Sequence, residues 1–188
     1  MIPKTCCLRG LLALLTVAML LSALTLRGQD KPEASASVAA KPLPIDMSDK
    51  TVKDFDVLAD KALQAMKKRA EELNMKGVAV VAYSEGDTVK SWSSKMLVVG
   101  NLTAGPSQKS PAGENMLAIA YTKAAEMAAT QKDSGSHVRP LLKGENGWKG
   151  GVVIRGKTGL LIAAFSGGPS EDDVKASRAG LEILATAL

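Results

Sequence analysis

The sequence predicts an α/β (α+β) domain built on a single antiparallel sheet of about five strands that is flanked by helices. Three segments of the 188-residue chain place apolar residues at intervals of three and four, which is the spacing of an amphipathic helix. Between them lie pairs of shorter apolar runs joined by glycine-containing turns, which is typical of antiparallel strands. Helices at both ends and in the middle are expected to cover the sheet.

The first helix is predicted to begin at Thr51, which has the spacing of a capping box to Asp54. Gly77 follows the end of this helix. The apolar residues of its buried stripe are Phe55, Leu58, Ala62, Met66, Ala70 and Leu73. Residues 77–83 form an unbroken apolar run, which indicates a strand that is covered on both faces. After a short turn, residues 88–99 are predicted to return as a second, more polar strand.

The middle of the chain holds a loop and a second helix. Glycine and proline punctuate residues 100–113, which are predicted to be a loop, and residues 114–132 are predicted to be helical. The stripe of this helix contains Leu117, Ala120, Ala124 and either Met127 or Ala128. The last helix is predicted to begin at Ser170, which has box spacing to Asp173. Its stripe contains Val174, Ser177, Leu181, Leu184 and Leu188.

Residues 151–158 match the pattern G-x-x-x-x-G-K-[ST] of phosphate-binding loops. In such a loop the residues between the glycines curl around the anion, and the lysine opens a helix. Here those residues are mainly valine and isoleucine, which prefer an extended backbone, and the apolar run 160–165 that follows has the length of a strand. The segment is therefore predicted to be a β-hairpin that turns at residues 156–159, and not a nucleotide site.

The N-terminus has the layout of a secretory signal peptide. Lys4 and Arg9 precede sixteen uncharged, largely apolar residues, 11–26. This stretch is shorter than the roughly 20 residues that cross a membrane. We therefore expect residues 1–28 to be cleaved, with no stable membrane insertion afterwards, and an uncleaved anchor is the alternative. The mature protein is predicted to be periplasmic or secreted.

Residues 29–50 are predicted to be a flexible linker, because three prolines interrupt a polar, small-residue composition. The remaining residues, 51–188, have the usual length of one domain. Both cysteines, Cys6 and Cys7, lie in the predicted signal peptide. The mature chain is therefore expected to form no disulfide and to use no thiol chemistry.

The charge pattern argues against a nucleic-acid partner. Removal of residues 1–28 takes away three of the 24 basic residues and none of the 19 acidic ones, which leaves a net charge of +2. The densest basic cluster, residues 67–69, lies on a predicted helix beside Glu71 and Glu72, as a solvated helix face does. The other basic residues are scattered and lack an aromatic platform.

Several residues are candidates for a ligand site. Ser170 follows Gly167 and Gly168 at the start of the last helix, where backbone N–H groups can hold an anion, although helix capping alone also explains the acids that follow. Trp148 lies beside glycines and can line a pocket. His137, the single histidine, is a candidate haem ligand, although its polar loop also fits an ordinary exposed side chain. The sequence predicts no catalytic residues and no metal site.

Three features of the folded part carry a resemblance to a known family. They are the strand 77–81 after a long helix, Lys123-Ala124 in an alanine-rich helix, and the run 159–168 followed by acids and by residues 179–181. Together they resemble the GlcG/HbpS-like family of small haem-binding or haem-degrading-type proteins, whose domain also forms the C-terminus of some PduO-type adenosyltransferases.

The resemblance implies a profilin- or PAS-like architecture, a homo-oligomer, and haem or a related tetrapyrrole as the ligand. Our hypothesis places Tyr121 and Lys123 near one pocket with Trp148 and Gly167. The chain departs from the family pattern at Tyr83, where the family usually has an aspartate.

We therefore expect an exported protein that binds a small molecule. The first alternative is a homo-oligomeric scaffold or interaction protein that binds nothing small. The second is an enzyme that acts on a small organic acid or a porphyrin. The sequence leaves catalysis open and favours binding without it.

Overall fold

The computed structural model describes residues 49–186 of the chain. The predicted signal peptide, residues 1–28, and nearly all of the predicted linker lie outside these residues. None of the described helices has the length and apolar character that a membrane crossing requires.

Three helices and six strands make up the described part of the chain, in the order α1 (Asp49–Glu72), β1 (Gly77–Glu85), β2 (Ser93–Val99), β3 (Thr103–Ala104), β4 (Glu114–Asn115), α2 (Met116–Thr130), β5 (Gly151–Arg155), β6 (Gly159–Ser166) and α3 (Ser170–Ala185). Four strands form an antiparallel sheet in the order β2-β1-β6-β5. The remaining two, β3 and β4, pair with each other as a small separate sheet. The α/β class is confirmed, with the strands divided between two sheets.

The four-stranded sheet is covered on both faces. Alternate residues of the central strands, including Tyr83 and Phe165, pack with α1 and α3 on one face. Their neighbours in sequence, including Ala82 and Ile162, pack on the opposite face, which α2 covers. This two-sided burial is the reason that β1 and β6 are continuously apolar in sequence.

The segment with the phosphate-loop pattern is a hairpin, as predicted. The strands β5 and β6 pair in antiparallel register, with Arg155 opposite Leu160. The Gly156 N–H donates to the Gly159 carbonyl at 2.8 Å and closes the turn. Because Lys157 lies in a turn between two strands, it does not open a helix as a phosphate-loop lysine does.

Several predicted boundaries are wrong. The helix α1 begins at Asp49, so Thr51 lies inside it and does not cap it. The strand β2 begins at Ser93, and the residues before it form a loop. The N-cap of α3 is Pro169, which makes no side-chain capping bond, so Ser170 is the first helical residue and not the cap. The predicted box from Ser170 to Asp173 does not form, because Asp173 has a different partner.

Candidate functional site

A cavity of about 230 Å³ lies where β6 ends and α3 begins. Its walls are formed by Ala104, Glu114, Met116, Lys123, Trp148, Lys149, Ser166, Gly167, Gly168, Ser170 and Asp173. A second cavity, of about 400 Å³, shares four of these wall residues, which are Ala104, Met116, Gly167 and Gly168. Because their walls are shared, the two cavities are adjacent parts of one depression, which we call the α3 cleft.

A buried ion pair forms part of the wall of the α3 cleft. Lys123 Nζ donates to Asp173 Oδ2 at 2.8 Å, and the two side chains are only 2% and 4% exposed. The same ammonium donates to the Phe165 carbonyl at 2.7 Å, and the Gly168 N–H donates to Asp173 Oδ1 at 2.9 Å. The pair therefore joins α2 to α3 and holds the backbone at the end of β6.

Close backbone packing makes room for this pair. A Cβ atom at Gly150 would overlap with Lys123 Nζ and would lie 2.9 Å from Asp173 Cβ. Gly150 also has a φ of +137°, in a region that side chains disfavour. Its carbonyl accepts from the Ser177 hydroxyl at 2.6 Å. A glycine at this position therefore allows α2, α3 and the start of β5 to meet.

Burial sets the electrostatics of the pair. Desolvation raises the pKa of Asp173 to about 6, against the attraction of Lys123 and the Gly168 N–H, which lower it. Desolvation likewise lowers the pKa of the Lys123 ammonium, against the attraction of Asp173. Both shifts have the same physical cause, because each charge has lost its water. The free energy for a proton to move between the two groups is therefore smaller than it is in water.

Helical spacing explains why both charged residues are inward. Lys123 shares the buried face of α2 with Ala120, Ala124 and Met127. Asp173 lies four residues before Ser177, which is also on the buried face of α3. These intervals of three and four place each charge on an otherwise buried stripe.

The structure brings five of the predicted site residues together. Lys123, Trp148, Gly167, Gly168 and Ser170 all line the smaller cavity of the α3 cleft. Trp148 is 47% exposed, so its indole forms part of the rim, whereas Lys123 is almost fully enclosed. These residues come from α2, the loop before β5, the connection from β6 to α3 and the start of α3. These segments adjoin in space, although α2 is distant in sequence from α3.

Tyr121 and His137 do not line either cavity of the cleft. The Tyr121 hydroxyl lies 3.2 Å from the Ser94 hydroxyl, and its ring packs beside Trp92. His137 is exposed in the loop after α2, with a φ of +52°. The hypothesis that Tyr121 shares a pocket with Lys123 is therefore wrong.

The part of the cleft that Lys123 lines does not fit an enclosed haem. This smaller cavity is about 230 Å³, below the roughly 300–1,000 Å³ of sites for larger organic ligands, whereas the larger cavity, of about 400 Å³, is within that range. His137, the candidate haem ligand, and Tyr121, the other candidate site residue, line neither cavity. Within residues 49–186, no group of three or more His, Cys, Asp and Glu side chains is placed to hold a metal ion.

The sequence pattern did not predict the role of Asp173. Three adjacent acids in a first helical turn are normally solvated, and Glu171 and Asp172 do form contacts at the surface. Asp173 differs because it faces inward. The signal that can identify it is its interval of four residues to Ser177 on the buried stripe, and the same signal marks Lys123 on α2.

No protein-family model matches the chain, and no curated protein matches it. Among solved structures, the chain is similar to the crystal structure of Klebsiella pneumoniae protein ORFY, described with the family model DUF336. The identity is 16%, the TM-score is 0.47, and the match covers 70% of this chain and 90% of that chain. DUF336 is the GlcG-like family, and a likeness at this level does not establish membership of it.

Proposed function

We propose that the protein binds a small organic molecule with a carboxylate group in the α3 cleft. The observation that carries this proposal is the Lys123–Asp173 pair, which is buried in the wall of an open cavity. A buried ion pair gives little net stability, because desolvation of both charges offsets their attraction. Buried groups with shifted pKa values are also concentrated at binding and catalytic sites. A role in ligand binding accounts for both features.

The backbone N–H groups at the start of α3 favour an anionic group on the ligand. Asp172 and Asp173 donate their N–H groups to the Pro169 carbonyl, whereas the N–H groups of Ser170 and Glu171 precede them and have no acceptor within the helix. The positive end of the helix dipole lies at the same point. Lys123 compensates Asp173, and the other charged wall residues also balance, with Lys76 and Lys149 against Glu114 and Asp172. The two backbone N–H groups therefore supply the preference for a ligand carboxylate.

The size and rim of the cleft restrict the rest of the ligand. A cavity of about 230 Å³ suits a molecule smaller than most drug-sized ligands. Trp148 supplies an apolar, planar wall at the rim, and the Lys149–Glu171 ion pair beside it is exposed, at 3.3 Å. Exposed pairs exchange readily with solvent and with ligands. Small keto or hydroxy acids therefore fit the cleft best.

Replacement of Trp148 by alanine is expected to weaken binding about tenfold, because the ligand loses its planar contact at the rim. Isothermal titration of the purified protein with acetate, lactate, pyruvate and succinate measures this change. Leu142→Ala is a matched control, because Leu142 is an exposed apolar residue of the same loop that does not line the cleft. Absence of saturable binding by all four acids, or equal affinities of the two variants, would contradict the proposal.

Haem or a related tetrapyrrole remains the ligand that the family resemblance implies. Because the smaller cavity does not enclose a tetrapyrrole, such a ligand would lie across the open side of the cleft, with a propionate towards α3. A Soret shift on titration with haem that is lost in Trp148→Ala would favour this ligand over a small acid. The export predicted from residues 1–28 would place the binding outside the cytoplasm.

Homo-oligomerisation is a second candidate function, favoured by an apolar surface on the loop before β5. Val138, Leu141 and Leu142 are exposed there, and we call them the apolar loop surface. Paired contacts between Arg139 and Glu145, at 2.6 and 2.8 Å, hold this loop in shape. Contiguous exposed apolar residues on an ordered loop are typical of protein interfaces.

If the apolar loop surface joins two copies of the chain, the double variant Leu141→Ser/Leu142→Ser is expected to shift the protein to monomers. Light scattering coupled to size-exclusion chromatography measures the mass. Val57→Ser is the matched control, because Val57 is equally exposed but lies on α1. A wild-type protein that is already monomeric, or a double variant with unchanged mass, would rule out this interface.

A further inference from the structure

We propose that Lys123 forms an imine with the carbonyl carbon of a small aldehyde or α-keto acid bound in the α3 cleft. This inference rests on the proposed binding function and narrows its ligand class to carbonyl compounds. It is carried by the geometry of one enclosed amine, one carboxyl group at hydrogen-bond distance, and the cavity that both of them line.

The contacts of Lys123 suit a nucleophilic amine. Its Nζ has two acceptors, the Phe165 carbonyl at 2.7 Å and Asp173 Oδ2 at 2.8 Å. A neutral amine has two N–H bonds and one lone pair; once Asp173 has taken the proton, its O–H faces that lone pair, and a carbonyl carbon that the amine attacks takes the place of this hydrogen bond. Because Gly150 has no side chain, the amine can occupy this position.

The surroundings of Lys123 favour the neutral amine. Burial lowers the pKa of Lys123, and a desolvated lysine is the kind that forms Schiff bases in proteins. Lys149, by contrast, has a side chain that is 59% exposed and pairs with Glu171.

Asp173 can move the protons that the reaction needs. Its carboxylate takes one proton from the Lys123 ammonium, and the neutral amine then attacks the carbonyl carbon to form a C–N bond. The carbonyl electron pair moves to oxygen, which receives the proton that the attacking nitrogen loses. The Asp173 carboxyl then protonates this hydroxyl, the C–O bond breaks, and water leaves as the protonated imine forms, with Asp173 returned to its carboxylate. Ammonium and carbonyl compound are thus converted to protonated imine and water, without an oxidant or reductant.

Reductive trapping of the wild-type protein tests this inference without relying on a variant that must fold. The protein is incubated at neutral pH with pyruvate or glyoxylate and with sodium cyanoborohydride, which converts an imine to a stable secondary amine. Intact mass and peptide mapping then locate the adduct. We expect Lys123 to carry at least about tenfold more adduct than Lys149 or any other lysine. Lactate, which has the carboxylate but no ketone, is expected to compete and to form no adduct.

Adducts at exposed lysines, with none at Lys123, would contradict the proposal that Lys123 forms an imine. If calorimetry in the same experiment shows that lactate and pyruvate bind, the proposed binding function stands and only the imine fails. If neither binds, both proposals fail. Lys143→Arg is the matched control variant, because Lys143 is exposed in the loop before β5 and lines neither cavity of the cleft, so it should leave the Lys123 adduct unchanged.

Discussion

Replacement of Lys123 by methionine is expected to make the stability of the domain fall steeply as the pH rises above 6. In the wild-type protein, burial raises the pKa of Asp173 to about 6 even though Lys123 opposes the shift. Without the ammonium this pKa rises further. A carboxyl with a raised folded pKa contributes stability that is complete below its unfolded pKa and is lost as the pH rises through the folded pKa.

The two proteins should therefore diverge above pH 6, the wild-type pKa of Asp173. In the wild-type protein Asp173 is then ionised in both the folded and the unfolded state, and it adds no further slope. In Lys123→Met the folded carboxyl keeps its proton while the unfolded one does not. The free energy of unfolding is expected to fall by up to about 1.4 kcal/mol for each pH unit until the new pKa is reached.

Urea denaturation over about pH 5 to 8 measures this slope. Lys149→Met is the control, because it removes one member of the exposed Lys149–Glu171 pair. That pair should contribute less than about 1 kcal/mol and add no slope. Parallel stability curves for Lys123→Met and the wild-type protein would show that the Lys123 ammonium does not lower the pKa of Asp173.

Replacement of Gly77 by alanine is expected to cost about 3 kcal/mol of unfolding free energy or more. A Cβ atom at Gly77 would overlap with the Ser166 carbonyl oxygen and would lie 2.8 Å from Gly167 Cα. These are backbone atoms, so no side-chain rotation can relieve the overlap. The start of β1 and the end of β6 would have to separate, and the wall of the α3 cleft would move with Gly167.

Gly105→Ala is the matched control for this glycine. A Cβ atom at Gly105 would meet no heavy atom within 4 Å, so its effect should stay within about 0.5 kcal/mol. Urea denaturation of the two variants compares them directly, and titration with the cleft ligand reports whether the wall has shifted. Equal urea midpoints for Gly77→Ala and Gly105→Ala would mean that β1 and β6 can separate with little loss of unfolding free energy.

Most of the fold follows from local patterns in the sequence. The unbroken apolar runs of β1 and β6 predict strands with both faces covered, and the helices do cover them. The start of β2 was placed five residues too early, because residues 88–92 continue a strand-like composition. They remain a loop since the pairing with β1 ends at Tyr83 opposite Ser93, and composition alone does not reveal where a partner strand turns away.

The site was only partly predictable, for a related reason. The glycines, Ser170 and Trp148 suggested a pocket from their residue types, and they line one cavity. Tyr121 was placed wrongly because it is only two residues from Lys123, and residues two apart on a helix point in different directions. Asp173 was missed because its neighbours Glu171 and Asp172 share its charge but not its helix face.

The sequence by itself determined the helices, the paired strands, the hairpin and the glycines, because periodicity and turns depend on residues only a few positions apart. The tertiary structure alone decided that Lys123 and Asp173 meet, although fifty residues separate them. Their helices lie on opposite faces of the sheet, and the pair forms only where β6 ends and Gly150 leaves space. Whether a charged side chain is buried with a partner depends on this packing, which no local pattern contains.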